Sequence, residues 1–425
     1  MIGIMGLARY ILSILIILIN ISSMESDKQS HSGYLSAQQA AAALGVTPAT
    51  LYAYVSRGLV RSEAGVGRER RYRAEDIAAL RRRREARDSG AAEGALNFGA
   101  PVLDSAITLI LDGRVYYRGQ DATLLARTAS IRDVAALLWQ ADPAVIFAPD
   151  NLPTLGPAGT ALRRAVAKLL PIERCLTLLP VAAAGDPRAS DISAESVAQA
   201  GGRLLRLLAA IVADAEPSPR PIDAVLAEAW GVGASLRGLL RAALILCADH
   251  EFNVSAFTAR CVASAQASPY NAVLAGMAAL QGAWHGGMTE RADAFLADAF
   301  AAPDMAAFCA ARLRLGERLP GFGHPLYPLG DPRAKVLLDL LAASERPSVA
   351  AGLRLARLGG ELVGRAPNID FALALLRHSL GLPAGAALAF FVVGRSMGWI
   401  AQALEQYALR QLIRPRARYV GPPVR

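Results

Sequence analysis

The sequence predicts an all-α protein in which a large helical region follows a small basic module. Alanine and leucine dominate the 425 residues, and aromatic residues make up only 6%. Alternating runs of β-branched residues, which are typical of strands, are scarce. Beyond residue 96, long apolar segments alternate with short polar joints. A chain of this length with 53% hydrophobic residues can bury a large core and predicts two or three domains.

The first 33 residues contain an apolar run, YILSILIILINIS at positions 10–22. It is shorter than the roughly 20 residues that span a bilayer. No small-residue cleavage site follows it before Met24. We therefore predict that residues 1–33 are an extension outside the fold, that Met24 is the physiological start and that the protein is cytoplasmic, without membrane attachment. A short signal-like membrane anchor is the alternative.

Cysteine usage and charge narrow the class of protein further. The four cysteines show no CxxC spacing, which favours buried thiols in a reducing compartment over a disulfide framework or a zinc site. The net charge is +9, and residues 34–87 hold eleven arginines against five acidic residues. Such a local excess attracts nucleic acid or another polyanion, although a solvated charged helix has the same composition.

Residues 34–87 have the pattern of two short helices joined by a tight turn. Ser36 and Gln39 form a capping box at the start of an alanine-rich helix, and Thr47 and Pro48 start a second helix. A glycine follows each helix. The arginine-rich segment SEAGVGRERRYR then predicts a hairpin, and a third, charged helix follows it.

This segment resembles the winged helix-turn-helix domains of the MerR and excisionase kind over about residues 34–80. The resemblance implies that the second helix enters the major groove of DNA while arginines of the hairpin lie near phosphates. The residues it assigns to DNA are Thr47, Thr50, Tyr52, Arg57, Arg68, Arg70 and Arg71. A helical module for dimerisation or docking is the alternative, because such patterns also occur without DNA. Residues 88–100, DSGAAEGALNFGA, are predicted to be a linker.

Three of the five histidines lie at joints between apolar helices of the remaining chain. His250 lies in ADHEFNVSAFTAR, among acidic, amide and hydroxyl groups. His285 lies in GAWHGGMTE, where two glycines leave space for a backbone or a ligand, and a new helix is predicted to begin at Thr289. Taken singly, each histidine is more simply explained as a packed or hydrogen-bonded residue than as a catalyst.

The third histidine, His324, lies in GFGHPLYPLGDPRA. Pro325 biases it toward extended backbone, and the flanking glycines permit turns. Asp331 is predicted to cap the next helix, with Arg333 in the first turn. A cation there opposes the helix dipole, which predicts an anion opposite it, either a protein carboxylate or a ligand. An internal salt bridge is the plainer interpretation.

A carboxylate completes the set of candidate residues. Asp370 lies in RAPNIDFALALL, where Pro367 and Asn368 are predicted to start a helix. Asp370 then lies in its first turn, where the helix dipole favours the ionised form. A plain helix-start aspartate is the alternative.

Together these segments resemble the citrate synthase family over about residues 96–421. The motifs that carry the resemblance are, in order along the chain, ITLILDGRVYYRGQD, DHEFNVSAFTARCVAS, LQGAWHGG, GFGHPLYPLGDPR, PNID and IRPRARYVG. The resemblance implies an all-α fold with a large and a small helical domain that close over the substrates. The implied boundaries are 101–285 for the large domain, 286–375 for the small domain and 376–425 for the C-terminal part of the large domain.

The resemblance also implies a reaction: acetyl-CoA, oxaloacetate and water give citrate and CoA. Asp370 would remove a proton from the thioester methyl group, His285 would donate to the thioester carbonyl and His324 would polarise the ketone of oxaloacetate. Guanidinium groups hold carboxylates bidentately. The residues assigned to oxaloacetate are His250, Arg333, Arg395 and Arg414.

The remaining implied contacts are those of coenzyme A and of a second subunit. Coenzyme A, a co-substrate, is assigned to Leu319, Pro320, Gly321, Gly323 and Arg365. No tightly bound cofactor and no metal is implied. Arg414 resembles the arginine that the family supplies from the neighbouring subunit, which implies a homodimer. A zinc site built from the histidines is the rival, but no two of them have close ligand spacing.

The sequence departs from the family pattern beside His285. Trp284 stands where the family more usually has leucine or alanine. Acetyl-CoA and propionyl-CoA are therefore both candidate acyl donors, and use of propionyl-CoA would make the protein a 2-methylcitrate synthase. The part before His250 is also shorter than in many family members. A different class of function, a DNA-binding regulator that uses the synthase fold to sense an acyl-CoA or a 2-oxo acid, is suggested by residues 34–87.

Overall fold

The computed structural model describes residues 34–44, 46–56, 60–65, 69–77, 80 and 103–422. It divides into two compact units between Leu103 and Asp104. The predictions for residues 1–33, for the linker at 88–100 and for Arg57 and Arg68 lie outside the described residues.

The N-terminal unit contains the two predicted short helices, α1 (Ala37–Leu44) and α2 (Pro48–Ser56). The predicted capping box is present: the amide of Gln39 donates to Ser36 Oγ at 3.2 Å, and the amide of Ser36 donates to Gln39 Oε1 at 3.0 Å. The amide of Thr50 donates to Thr47 Oγ1, so Thr47 caps α2 as predicted.

A small antiparallel sheet completes this unit. The predicted hairpin consists of β2 (Ser62–Ala64) and β3 (Arg70–Arg73), and β1 (Tyr34–Ser36) pairs with the other side of β3. Strand β1 is not among the predicted elements, because the alternation of three residues is too short to indicate a strand. The unit has its own core, and its buried residues are Ala40, Ala41, Leu44, Leu51, Val60, Tyr72 and Ile77.

The second unit begins with the predicted hairpin, built from β4 (Thr108–Leu111), β5 (Arg114–Tyr117) and the short β6 (Gln120–Asp121). Asp112 and Gly113 form the tight turn with φ values of 50° and 71°, which matches a two-residue hairpin loop. The hydroxyl of Tyr117 donates to the carbonyl of Asp249 at 3.2 Å. The hairpin is thereby joined to the residue that precedes His250.

Helices form the rest of this unit, as predicted. They are α3 (Ala122–Thr128), α4 (Ile131–Trp139), α5 (Pro143–Ile146), α6 (Gly156–Ala165), α7 (Pro171–Gly185), α8 (Ala194–Ala213), α9 (Ile222–Ala229), α10 (Arg237–Leu246), α11 (Val254–Ser264), α12 (Pro269–Leu280), α13 (Gly287–Ala301), α14 (Met305–Arg314), α15 (Pro332–Ala342), α16 (Pro347–Val363), α17 (Ile369–Leu380) and α18 (Ala386–Leu409). Helix α13 begins two residues before the predicted start at Thr289.

Helix α18 lies at the centre and packs against α8, α10, α11 and α12. It is buried on nearly every side and is mostly apolar, although it carries buried polar residues such as Arg395, Gln402 and Gln406. Two of its glycines let the end of α10 approach: a Cβ on Gly394 would lie 2.4 Å from the carbonyl oxygen of Leu244, and one on Gly398 would lie 2.3 Å from that of Ala248. This close packing places Arg395 beside the residues that lead to His250.

Among the described residues, two helices are long and apolar enough to cross a membrane, α8 and α18. Their most apolar windows are 83% and 94% buried within the protein, as expected of core helices. The four cysteines are free thiols; Cys175, Cys247 and Cys309 are buried and Cys261 is half-buried.

Candidate active site

Three predicted histidines, one aspartate and two arginines come together from separate segments of the second unit. The rings of His250 and His324 are 5.2 Å apart between centroids, although 74 positions separate them along the chain. The charge of Arg333 acts on the pKa values of His250, His324 and Asp370, and that of Arg395 acts on His250, His285 and Asp370. The two arginines therefore lie close enough to these side chains to act on them as parts of one cluster.

The loop that carries His324 is joined to the start of the helix that carries Asp370. The amide of Gly323 donates to the carbonyl of Ala366 and the amide of Asn368 donates to that of Gly321, each at 2.8 Å. The side-chain amide of Asn368 donates to the carbonyl of Gly323 at 3.0 Å, while its oxygen caps α17 by accepting from the amide of Asp370. Asn368 thus fixes both the loop and the helix start.

We expect Gly321→Ala to destabilise the protein by about 2–4 kcal/mol. Gly321 has a φ of +85°, and a Cβ would lie 2.9 Å from Phe371 Cβ and 3.2 Å from its backbone. Gly316→Ala is the matched control, because Gly316 has a similar φ of +77° and nothing within 4 Å of a Cβ. Chemical denaturation measures both variants; equal losses would show that packing against Phe371 contributes nothing.

Arg333 has a protein carboxylate as its partner, one of the two kinds of anion that its position predicted. The guanidinium pairs bidentately with Asp331, with Nε–Oδ1 at 3.0 Å and Nη2–Oδ2 at 2.8 Å. Asp331 also accepts from the amide of Arg333 at the start of α15 and from the amide of Ile369 at the start of α17. Within residues 103–422, Nη1 of Arg333 has no hydrogen-bond partner and is left for a ligand.

Arg395 is a buried cation without a carboxylate. The residue is 1% exposed, and its Nε donates to the carbonyl of Cys247 at 2.6 Å. No ion pair joins it to any carboxylate of the described chain, and its two terminal nitrogens make no hydrogen bond there. Burial lowers its pKa, opposed by the charge of Asp249. A buried guanidinium whose terminal nitrogens have no ion pair and no hydrogen bond in the described chain is suited to binding an anionic ligand.

His324 and His250 are held as neutral imidazoles. Burial, together with the charge of Arg333, lowers the pKa of His324 to about 4 and that of His250 well below its usual value. Nδ1 of His324 accepts from the amide of Leu326 at 3.2 Å, so the neutral ring carries its proton on Nε2. Nε2 of His250 lies 2.8 Å from the hydroxyl of Tyr327.

His285 is also neutral, and a serine determines which nitrogen carries its proton. Burial and the charge of Arg395 lower its pKa to about 4. Its Nε2 lies 2.9 Å from Ser255 Oγ, which lies 2.8 Å from Asn253 Oδ1. When Ser255 donates to Asn253, Nε2 carries the histidine proton; when Ser255 donates to Nε2, the proton is on Nδ1.

Asp370 has the properties of a general base. Burial raises its pKa to about 6, against the lowering effects of a hydrogen bond from Thr289 Oγ1 at 2.6 Å and of the charge of Arg333. Thr289 lies in the first turn of α13, only four positions after His285. The cluster therefore combines a carboxylate that titrates near neutral pH, neutral histidines that can donate protons, and two cations for carboxylates.

Other predicted residues lie differently. Leu319 is buried in the core, so only its backbone is available to a ligand. Arg365 is exposed and lies against Gly323, where a Cβ would meet its Cδ at 2.7 Å. Arg414 is exposed in the segment after α18 and is not part of the cluster within this chain. Trp284 is 95% exposed although it adjoins His285.

Five residues hold the site together without being among the predicted site residues. They are Asn253, Ser255, Thr289, Tyr327 and Asn368, of which Thr289 and Asn368 are predicted only as residues at which a helix starts. Each of the five lies within five positions of a predicted site residue. In three of the contacts, however, the hydrogen-bond partner is 30 to 81 positions away along the chain. Within the described ranges, no group of three or more histidine, cysteine or acidic side chains is arranged to hold a metal ion.

A mostly helical unit thus brings together three histidines, a carboxylate and two buried arginines. The chain belongs to the citrate synthase family: the family model described as "Citrate synthase, C-terminal domain" matches residues 96–416. A second model, described as "Helix-turn-helix domain", matches residues 34–85. The predicted combination of the two is therefore confirmed.

Individual relatives agree with this assignment. The chain is 37% identical over 185 residues to citrate synthase 2 of Bacillus subtilis and 39% identical over 188 residues to a citrate synthase of Haloferax volcanii. Each alignment covers 42% of this chain, and the chain spans about half the length of these curated relatives. It is also 35% identical over 187 residues to a 2-methylcitrate synthase of Shewanella oneidensis, covering 42% of this chain and 49% of that protein.

Solved structures have the same fold. Citrate synthase of Thermotoga maritima superposes with a TM-score of 0.64 at 24% identity, covering 76% of this chain and 94% of that one. Citrate synthase of Pyrobaculum aerophilum gives a TM-score of 0.66 at 24% identity, with 77% and 92% covered. The predicted citrate synthase-like all-α fold is confirmed.

Proposed function

We propose that this protein condenses acetyl-CoA with oxaloacetate and water to give citrate and CoA. The observation that carries the proposal is Asp370, a half-buried carboxyl whose pKa desolvation raises to about 6, in one cluster with neutral histidines and two buried arginines. Asp370 takes a proton from the methyl group of the thioester. The electron pair released forms the new bond to the ketone carbon of oxaloacetate, and His324 gives the ketone oxygen a proton from Nε2.

His285 stabilises the enolate oxygen that develops on the thioester. For Nδ1 to donate to that oxygen, Ser255 must donate to Nε2 and give up its bond to Asn253. Water then attacks the thioester carbonyl, the carbon–sulfur bond breaks, and the sulfur leaves as the thiol of CoA. Acetyl-CoA is thus a co-substrate, and the proposal needs no tightly bound cofactor.

The two arginines hold the carboxylates of oxaloacetate, with His250 beside them. Nη1 of Arg333 and both terminal nitrogens of Arg395 are the unused donors of the described cluster. In a homodimer, Arg414 of one subunit completes the site of the other. The citrate synthase of Thermoplasma acidophilum, which has this fold at 22% identity, was solved with carboxymethyl coenzyme A and oxaloacetate.

Coenzyme A lies against the loop from Leu319 to Gly323, with Arg365 beside it as an exposed cation for phosphate. The small domain, residues 286–375, closes on the large domain, residues 101–285 and 376–425, and excludes water during condensation. The acyl group is acetyl in our first proposal. Propionyl is the alternative, supported by the similarity to a 2-methylcitrate synthase.

Release of thiol from acyl-CoA tests this proposal. Full-length protein is incubated with acetyl-CoA or propionyl-CoA, with and without oxaloacetate, and free thiol is measured. We expect release only when both substrates are present, and the better acyl donor identifies the reaction. Absence of oxaloacetate-dependent release with either donor would contradict the proposed activity.

The pH dependence of this reaction is expected to have one acidic limb, centred near pH 6. Below that value Asp370 is protonated and cannot accept a proton, whereas His285 and His324, with pKa values near 4, stay neutral on both sides of it. The raised pKa of Asp370 also means that its contribution to folding stability is present at low pH and lost as pH rises through about 6. Profiles of kcat/KM from about pH 3.5 to 8 measure the limb. A midpoint near 4 would exclude Asp370 as the titrating base.

The helix-turn-helix unit favours a second function, DNA binding through residues 34–87. Arg70 and Arg71 are exposed on β3, and Tyr52 is 54% exposed on α2. Thr47 and Thr50 lie at the start of α2, where they bond to each other at 3.0 Å. We propose that the protein is cytoplasmic, acts in the tricarboxylic acid cycle and reaches DNA through this surface.

A mobility shift of DNA upstream of the protein's own gene tests the second function. Full-length protein is compared with Arg70→Gln/Arg71→Gln at several salt concentrations. We expect the variant to bind more weakly and with a smaller salt dependence, because each phosphate contact adds to the salt slope. Equal binding by both proteins would show that Arg70 and Arg71 do not contact the DNA.

A further inference from the structure

A second cluster of arginines lines a cleft away from the active site. The cleft has a volume of about 120 Å³, and its charged lining residues are Arg132, Arg206, Arg220, Arg237, Arg241 and Asp223. Helix α10 begins at the cleft with Arg237 and ends at Leu246, four residues before His250. A ten-residue helix is about 15 Å long, so the cleft is separate from the catalytic cluster.

The charges of this cleft are not balanced. Arg237 pairs with Asp223 at 2.7 Å, and Arg220 pairs with Glu228. In the part of the chain that the structure describes, the other three arginines form no ion pair with a carboxylate; they are Arg132, Arg206 and Arg241. The cleft therefore carries an excess of positive charge that the protein does not neutralise.

The excess positive charge is a fixed feature of the protein around the cleft, as two of these arginines show. Arg206 is 3% exposed and donates to the carbonyls of Ala148 and Phe147 at 2.9 and 3.0 Å, so its position is fixed without loss of its charge. Arg241 has a buried Nε with no hydrogen-bond partner. That Nε is sealed by protein atoms, so a ligand in the cleft would meet the terminal nitrogens of Arg241, which donate no hydrogen bond within the described residues.

Two helix starts and an aromatic ring complete the cleft. Helices α4 and α9 both begin at its wall, and α9 has no side-chain cap, so its free amides favour an anion. The guanidinium carbons of Arg132 and Arg206 lie 5.4 and 5.5 Å from the centre of the Phe147 ring. The ring and the neighbouring prolines supply an apolar surface beside the cations.

We propose that this cleft binds a phosphate group carried by a small apolar or aromatic substituent. Phosphate matches the combination of arginine forks and free helix amides. The volume is well below the several hundred Å³ of a typical drug-sized site, so the ligand is compact. This inference does not depend on the proposed reaction.

Calorimetric titration of the full-length protein with phenyl phosphate tests the proposal, with phenol as the uncharged control. We expect binding with a Kd below about 1 mM for phenyl phosphate and none for phenol. Arg132→Gln and Arg241→Gln are each expected to weaken binding at least about tenfold, because each removes a charge-assisted hydrogen bond. Arg357→Gln, which changes an exposed arginine of α16, is the matched control and is expected to bind normally.

A fourth variant, Arg395→Gln, separates the cleft from the active site. Retained binding by Arg395→Gln together with weakened binding by both cleft variants supports the proposal. No binding of phenyl phosphate, or binding lost only in Arg395→Gln, overturns it. Arg132 is exposed and makes one hydrogen bond, to the carbonyl of Pro143, so its variant is expected to fold, and thermal unfolding without ligand checks this.

Discussion

Asp370→Asn is expected to lower kcat for oxaloacetate-dependent thiol release by about 10³-fold or more. The asparagine oxygen can still accept from Thr289, so the side chain keeps its place, but the amide cannot take a proton from carbon. KM for oxaloacetate is expected to change little, because the arginines that hold it are untouched. Steady-state kinetics with the better acyl donor measures both constants.

The matched control for this variant is Asp339→Asn, which changes an exposed aspartate on α15. It is expected to retain full activity. Asp370→Asn is also expected to unfold at the same or a slightly higher temperature at pH 7, since it removes a carboxylate that burial disfavours. Full activity in Asp370→Asn would assign the base to another residue.

Arg395→Met is expected to weaken oxaloacetate binding by about 10²–10³-fold while leaving the ligand-free protein at least as stable. The charge of Arg395 is buried and forms no ion pair within residues 103–422, so an apolar chain of similar length removes an unfavourable burial together with one hydrogen bond and the attraction to Asp249. Binding is measured by calorimetry and stability by chemical denaturation.

Arg260→Met is the matched control because Arg260 is equally buried but paired. It is 0% exposed and forms an ion pair with Glu405 at 2.7 Å. Removing it is expected to cost about 3–5 kcal/mol of unfolding free energy, since Glu405 keeps only the more distant Arg118 and the buried Gln402 and Gln406 lose the hydrogen bonds that the guanidinium donates. If Arg395→Met proved as destabilising as Arg260→Met, Arg395 would have a structural role instead of the one we propose.

Local signals in the sequence predicted the helix starts of the site. Asp331 and Asn368 cap α15 and α17 as their positions before Pro332 and Asp370 predicted. These predictions succeeded because a cap depends on residues only two or three positions apart. The ion pair of Asp331 with Arg333 is also local, but the sequence does not predict it alone, because a ligand is an equal candidate for that cation.

Contacts between distant segments could not be predicted in the same way. The bonds of Ser255 to His285 and of Thr289 to Asp370 join residues 30 and 81 positions apart, and no pattern within either segment indicates them. Only the resemblance to a family placed the three histidines together. The exposure of Trp284 is another such case, because its apolar character alone predicts burial.

The Asp331 carboxylate binds the first turns of both α15 and α17, and it holds Arg333 at the same time. Arg333 and Asp370 therefore belong to one rigid body, whose internal spacing stays constant when neighbouring helices shift. Arg395, on α18, lies outside that body. A hinge motion between that body and α18 would change the distance from Arg395 to Asp370 and leave the distance from Arg333 to Asp370 unchanged. The contact of Arg395 with a bound ligand would therefore depend on the motion.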